Sequence, residues 1–211
     1  ALDANLISDL DGLSDLVNLK VLTLNENRLH SLSTSLKFCT NLQQLELSGN
    51  FLKATASLHK NQALKKLSIA RNMLESLDDI AACPALQNLV ANDNKVKVMP
   101  KLWASPFIQT LNLSGNQLTE IPAMLHMPNL RFLCVQDNAI SRIGGLEGMP
   151  NLEVADFSFN SIASVATLLS LSPCHMLAEL QLNDNPIASL PTEIQFCKKL
   201  KVLDLRNTAL A

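Results

Sequence analysis

The chain has 211 residues, 47% of them apolar and 17% charged, with a formal charge of -2, which gives enough apolar side chain for a sizeable core. Seventeen Lys and Arg against nineteen Asp and Glu leave no basic stripe to neutralise phosphates, so the composition argues against nucleic acid as a partner. No apolar run approaches the roughly 20 residues of a membrane-spanning helix, and no basic, apolar, small-residue leader opens the chain, so no membrane insertion is expected.

In chain order, Leu2, Asn5 and Ile7 begin a pattern that returns in full as "LKVLTLNENRL" from Leu19 and "LQQLELSGNFL" from Leu42. It continues as "LKKLSIARNML" from Leu64, "LQNLVANDNKV" from Leu86, "IQTLNLSGNQL" from Ile108 and "LRFLCVQDNAI" from Leu130. "LEVADFSFNSI" from Leu152, "LAELQLNDNPI" from Leu177 and "LKVLDLRNTAL" from Leu200 complete it. The starts at 19, 42, 64, 86, 108, 130, 152, 177 and 200 differ by 22 to 25 residues. A fixed period of that length is the signature of a solenoid and overrides a domain count made from length alone.

Within each repeat, places four and six (Leu45 and Leu47, for example) are two apart and share one face of a short strand, while places three, five and seven point the other way. The strand is expected to end at the asparagine of place nine: Asn27, Asn50, Asn72, Asn94, Asn116, Asn138, Asn160 and Asn185. An amide there both donates and accepts, satisfying backbone of a turn that water cannot reach. A second apolar rhythm falls five residues after each asparagine, at Leu32, Leu77, Met99, Ile121, Ile143, Val165 and Leu190, with Thr55 as the exception. Pro84, Pro106, Pro128 and Pro150 stand two residues before the next repeat and disfavour a long helix there, so short helical turns are expected on the return path.

The chain resembles the leucine-rich repeat family along essentially its whole length. That resemblance implies an α/β solenoid, a curved horseshoe with a parallel β-sheet on its concave face and short helical turns and loops on its convex face. It is read as a single domain over residues 1–211, with a partial repeat at 1–18 and nine repeats after it. The ends lack polar caps, which suggests a fragment of a longer chain, with more chain or a partner over Leu203, Leu205 and Leu210. "NAISRIGGLEGMPNLEVADFSFNSI", Asn138 to Ile162, is similar to the 22-residue intracellular subclass typified by the regulator of type 1 protein phosphatase. "SLPTEIQFCKKL", from Ser189, leans towards the longer class resembling Ras-suppressor proteins. The subclass implies a non-catalytic scaffold for a folded protein, with type 1 phosphatase catalytic subunit the first partner. A cytoskeletal, axonemal or microtubule-associated assembly is the second, and a recognition domain within a larger multidomain protein is a further alternative.

Cys39, Cys83, Cys174 and Cys197 all stand three residues before a repeat start, a slot filled elsewhere by Asn61, Ser105, Met127 and Met149. They read as buried thiols in a packing position, which favours an intracellular, cytoplasmic or nuclear compartment over an oxidising one. His30, His59, His126 and His175 fall on loops or the convex side, and the adjacent Cys174 and His175 lack the second ligand pair of a zinc site. The Ser-Gly-Asn runs ending at Asn50 and Asn116, and Gly144-Gly145, read as turns, and Asp78-Asp79 as a solvated face. No catalytic residue, metal or cofactor is therefore expected.

Places three, five and seven line the expected concave sheet, which at about 4.8 Å per strand spans roughly 38 Å. Most of its residues are small and polar. Phe132, Cys134 and Val154 depart from that background, with Phe159 at the edge and Arg131, Glu153, Asp156 and Glu179 around them. An aromatic centre inside a charged rim has the composition of a binding hot spot, so these eight residues are the candidate partner site. Lys65, Lys66 and Arg71 make a smaller basic spot.

Overall fold

The structure is a computed structural model that describes residues 1–32, 34–56, 58–102, 106–122, 126–144, 146, 148–164, 175–190 and 192–210. Its packing divides into two compact units, Ala1–Val96 with Pro100–Ile108, and Lys97–Met99 with Gln109–Ala211.

The first unit stacks four parallel strands, β1 (Val21–Thr23), β2 (Gln44–Glu46), β3 (Lys66–Ser68) and β4 (Asn88–Val90), in chain order and with no register slip. Each strand covers places three to five, so place four points inward and the flanking places outward. Leu45, Leu67 and Leu89, then Leu47, Ile69 and Ala91, are accordingly buried. The return paths are 3-10 turns at Leu13–Asp15, Thr34–Phe38, Leu58–Lys60 and Asp78–Ala82.

In the second unit β5 (Thr110–Asn112), β7 (Phe132–Cys134), β9 (Val154–Asp156), β10 (Glu179–Gln181) and β11 (Val202–Asp204) pair in parallel with the same register. Phe157 at place six is fully buried, and Ala155 beside it at place four makes room for the ring. Leu203 and Leu210 on the last coil are more than a third exposed. One return path runs through a 3-10 turn at Thr192–Phe196. Two others contain strands that the repeat period does not announce, β6 (Glu120–Ile121) and β8 (Arg142–Ile143), paired in parallel. Ile121 and Ile143 point into the core while Glu120 and Arg142 pair outside at 2.5 Å. β-branched residues at the inward place favour extended backbone here.

The asparagines carry the turn in both units. In the first, Asn72 Nδ2 donates to the carbonyls of Leu47, Ile69 and Ala70, and Asn72 Oδ1 accepts from the Leu52 amide. In the second, Asn138 Nδ2 donates to Leu113, Val135 and Gln136, and its Oδ1 accepts from the Leu118 amide. Each side chain thus closes its own turn and ties it to the preceding coil. Place eight, immediately before, adopts a left-handed backbone in every full repeat: Glu26, Gly49, Arg71, Asp93, Gly115, Asp137, Phe159, Asp184 and Asn207. Gly49 has a second reason to lack a side chain, because a Cβ there would meet the Glu26 carboxylate at 2.7 Å. That carboxylate crosses the glycine's coil to reach Arg71 at 2.6 Å.

Candidate functional site

The strand register brings the candidate residues of the second unit onto one exposed sheet face. Phe132 lies beside Val154, which lies beside Glu179, and in the next row Cys134, Asp156 and Gln181 stand abreast. Phe159 stands at the place-eight corner with φ of 53° and 55% of its surface exposed. Its neighbours at place eight are Asp137 and Asp184 on the coils to either side.

Arg131 and Glu153 do not act as separate rim charges. They form a two-pronged pair, Nε to Oε1 at 2.8 Å and Nη2 to Oε2 at 2.9 Å, which holds the Glu153 carboxyl below the usual range. The guanidinium carbon lies 5.4 Å from the Phe132 ring centroid, within cation–π reach. Arg206 is similarly engaged with Asp204 at 2.6 Å. Among the described residues Asp137, Asp156 and Glu179 have no cation at ion-pair distance, whereas Asp184 interacts with Arg206 and accepts from Asn183 at 2.7 Å and Asn207 at 2.9 Å; Glu179 accepts from Gln181 at 2.5 Å. Asp156 Oδ1 is held by the Ser158 amide at 3.0 Å and hydroxyl at 2.6 Å, which fixes its orientation. Gln136 Oε1, on the coil of Phe132, is buried with no hydrogen-bond partner among the described residues. The face therefore offers an aromatic centre bordered by carboxylates.

Cys134 is half-buried on this face, whereas Cys39, Cys83 and Cys197 are buried thiols; Cys174 lies outside the described residues, as do Val165, Ser105 and Gly145. Burial, then the charges of Asp156 and Glu179, push the Cys134 thiol up, which works against nucleophilic reactivity. The cysteine slot has a role that composition does not reveal. Cys39 Sγ faces the Leu13 carbonyl at 3.6 Å and Cys83 Sγ the Leu58 carbonyl at 3.5 Å, and Asn61 Nδ2 donates to Leu36 and Cys39. Polar occupants of the slot reach back to the preceding return turn. His30, His59, His126 and His175 are all exposed, and among the described residues no three side chains are grouped to hold a metal ion.

The corresponding face of the first unit is differently composed. Glu46 accepts from Asn25 at 3.0 Å and Gln44 at 2.6 Å, and Ser48 and Ser68 share a 2.8 Å hydrogen bond. A depression of about 300 Å³ is lined by Gln44, Glu46, Lys66, Ser68, Asn88 and Val90. Of the basic spot, Arg71 is engaged by Glu26.

Residues 106–148 match the family profile of Leucine Rich repeats (2 copies). Among solved structures, a Leptospira interrogans LRR protein superposes with TM-score 0.75 at 26% identity over 97% of this chain and 59% of its own. Internalin C2 of Listeria monocytogenes gives 0.77 at 22% over 90% and 83%. The LRR ectodomain of an Arabidopsis thaliana membrane receptor kinase, solved in complex with Casparian strip integrity factor 2, gives 0.75 at 28% over 90% and 24%. The chain thus spans 59% of the Leptospira protein and about a quarter of the plant chain. No curated protein matches in sequence. The fold is a leucine-rich repeat solenoid, and residues 106–148 carry the family's two-repeat profile. No helix among the described residues is long and apolar enough to cross a membrane.

Proposed function

We propose that this chain is a non-catalytic scaffold that holds a folded protein partner on the strand face of its second unit. The observation that carries the reading is the alignment of Phe132, Val154 and Cys134 in adjacent strands, bordered by Asp156 and Glu179 and by Phe159. Three partly exposed apolar side chains and an exposed aromatic stand together there. Desolvating them against a partner recovers apolar area, and unpaired carboxylates around the centre select a partner that is basic around an apolar patch.

The resemblance to the phosphatase-regulator subclass makes type 1 phosphatase catalytic subunit the first candidate in a reducing intracellular compartment. A cytoskeletal or axonemal protein is the second. The test is a pull-down from cell extract with mass spectrometry, comparing wild type with Phe132→Ala, followed by direct titration of purified type 1 phosphatase catalytic subunit. The reading expects a partner retained by wild type and lost by the variant. Equal recovery of all bound proteins by both would contradict it, and phosphatase that fails to bind wild type would remove that candidate.

A further inference from the structure

Every full repeat sets place eight in the left-handed backbone region, where a Cβ crowds the backbone and glycine, asparagine and aspartate are best tolerated. Six of the nine occupants are of those types: Gly49, Asp93, Gly115, Asp137, Asp184 and Asn207. Phe159 is the aromatic among them, at φ of 53°. Strain of this kind persists in a core when the side chain is packed, but the Phe159 side chain is 55% exposed. Folding thus meets two penalties at one residue, a disfavoured backbone and an apolar ring more than half exposed to water.

We infer that Phe159 is a specificity-determining residue of the strand-face site, kept against folding stability because its ring clamps an apolar side chain of the partner flanked by lysine or arginine. This rests on the reading above that the face binds a protein. Its position supplies the flanking chemistry: Asp137 and Asp184 occupy place eight on the coils before and after it, and Asp156 lies on its own coil. The partner's apolar group would meet the Phe159 ring, with its cations between the carboxylates. The last coil, two beyond that of Phe159, shows a polar occupant of the same place. Asn207 donates through Nδ2 to Asp184 Oδ1 at 2.9 Å, joining place eight of two successive coils. An asparagine at Phe159 would stand in the same relation to Asp137.

The experiment pairs thermal unfolding with fluorescence anisotropy of two dansyl-labelled probe peptides, Lys-Lys-Leu-Lys-Lys and Glu-Glu-Leu-Glu-Glu. Wild type should bind the lysine peptide at least fivefold more tightly than the glutamate peptide. Phe159→Asn should raise Tm by about 2 °C, as relief of strain of this size does in a chain of this length. It should also weaken lysine-peptide binding at least fivefold. Phe159→Ala, which removes the ring but keeps a Cβ, should weaken binding equally with less gain in Tm. A fall in Tm for Phe159→Asn would mean the ring serves folding and would overturn the inference. So would binding unchanged by Phe159→Asn while Phe132→Ala weakens it, which leaves the strand-face reading standing. A wild type that does not discriminate between the two peptides would overturn both.

Discussion

The strand faces of the two units share one scaffold and differ in what their outward side chains do with each other. In the first unit Glu46 is held by Asn25 and Gln44, Ser48 by Ser68, and Arg71 by Glu26. In the second, Asp156 is likewise held by Ser158 and Glu179 by Gln181, but Phe132, Val154 and Phe159 stand among these carboxylates with apolar surface exposed to solvent. A face whose polar groups bond one another gains little from a partner, because each bond must be exchanged for one of similar strength. Where apolar side chains and unpaired charge share a surface, complementary contact brings a net gain.

If the scaffold is truly common to both units, damage to it should cost the same in each. Leu67→Asp and Leu111→Asp both put a carboxylate at a fully buried place four, and each should cost on the order of 4 kcal/mol or more and unfold its surroundings. Circular dichroism melts should show two comparable losses. An unchanged melt in either would break the shared register.

The asparagines make a finer version of the same test. Asn72→Leu and Asn138→Leu each strip partners from three carbonyls and one amide, so about 3 kcal/mol is expected from both in urea denaturation. A cost seen in one unit alone would show that its turns close by different means.

Binding is where the units should part. Phe132→Ala should weaken the partner complex about 30-fold, corresponding to about 2 kcal/mol, chiefly through faster dissociation, with little change in the melt. Lys66→Ala on the first unit's face should leave both rates alone. Surface plasmon resonance of the two variants against one partner decides between them.

The cysteine slot gives a test on the return side, where the first unit has Cys39, Asn61 and Cys83 and the second Met127, Met149 and Cys197. Burial pushes the Cys83 thiol up to about 11. The unfolded chain releases that proton near the ordinary thiol value, while the folded chain holds it until about pH 11, so stability falls as pH rises between them. The loss should reach at most roughly 3 kcal/mol, and urea titrations of Cys83→Ala against wild type should show a flatter alkaline limb.

The smallest effect should be a gain. Thr55 breaks the return-side rhythm, is fully buried, and leaves its hydroxyl oxygen with no partner among the described residues. Thr55→Val keeps the shape and removes the orphan, so calorimetry should find about 1 kcal/mol of added stability.

The strands and core were legible because period and alternation act on every repeat alike: Leu45, Leu111 and Leu180 each announce the same inward place. The return strands β6 and β8 were not, since Ile121 and Ile143 satisfy an apolar rhythm equally well in a helical turn or an extended segment. Phe132 and Val154 could be placed on one face from spacing alone. The engagement of Glu153 by Arg131 could not, because it depends on side-chain direction at the edge of two neighbouring strands. The left-handed place eight did leave a trace in Gly49, Asp93, Gly115 and Asn207, residues that tolerate positive φ, and against that trace Phe159 stands out.

Hydroxyl-radical footprinting of the chain with and without its recovered partner tests most directly whether the second unit's strand face is the docking surface. Phe132, Cys134 and Phe159 should lose reactivity in the complex, while Phe51 and Met73, exposed on the first unit, keep theirs. Protection of Phe51 and Met73 with Phe132 and Phe159 still reactive would contradict the account.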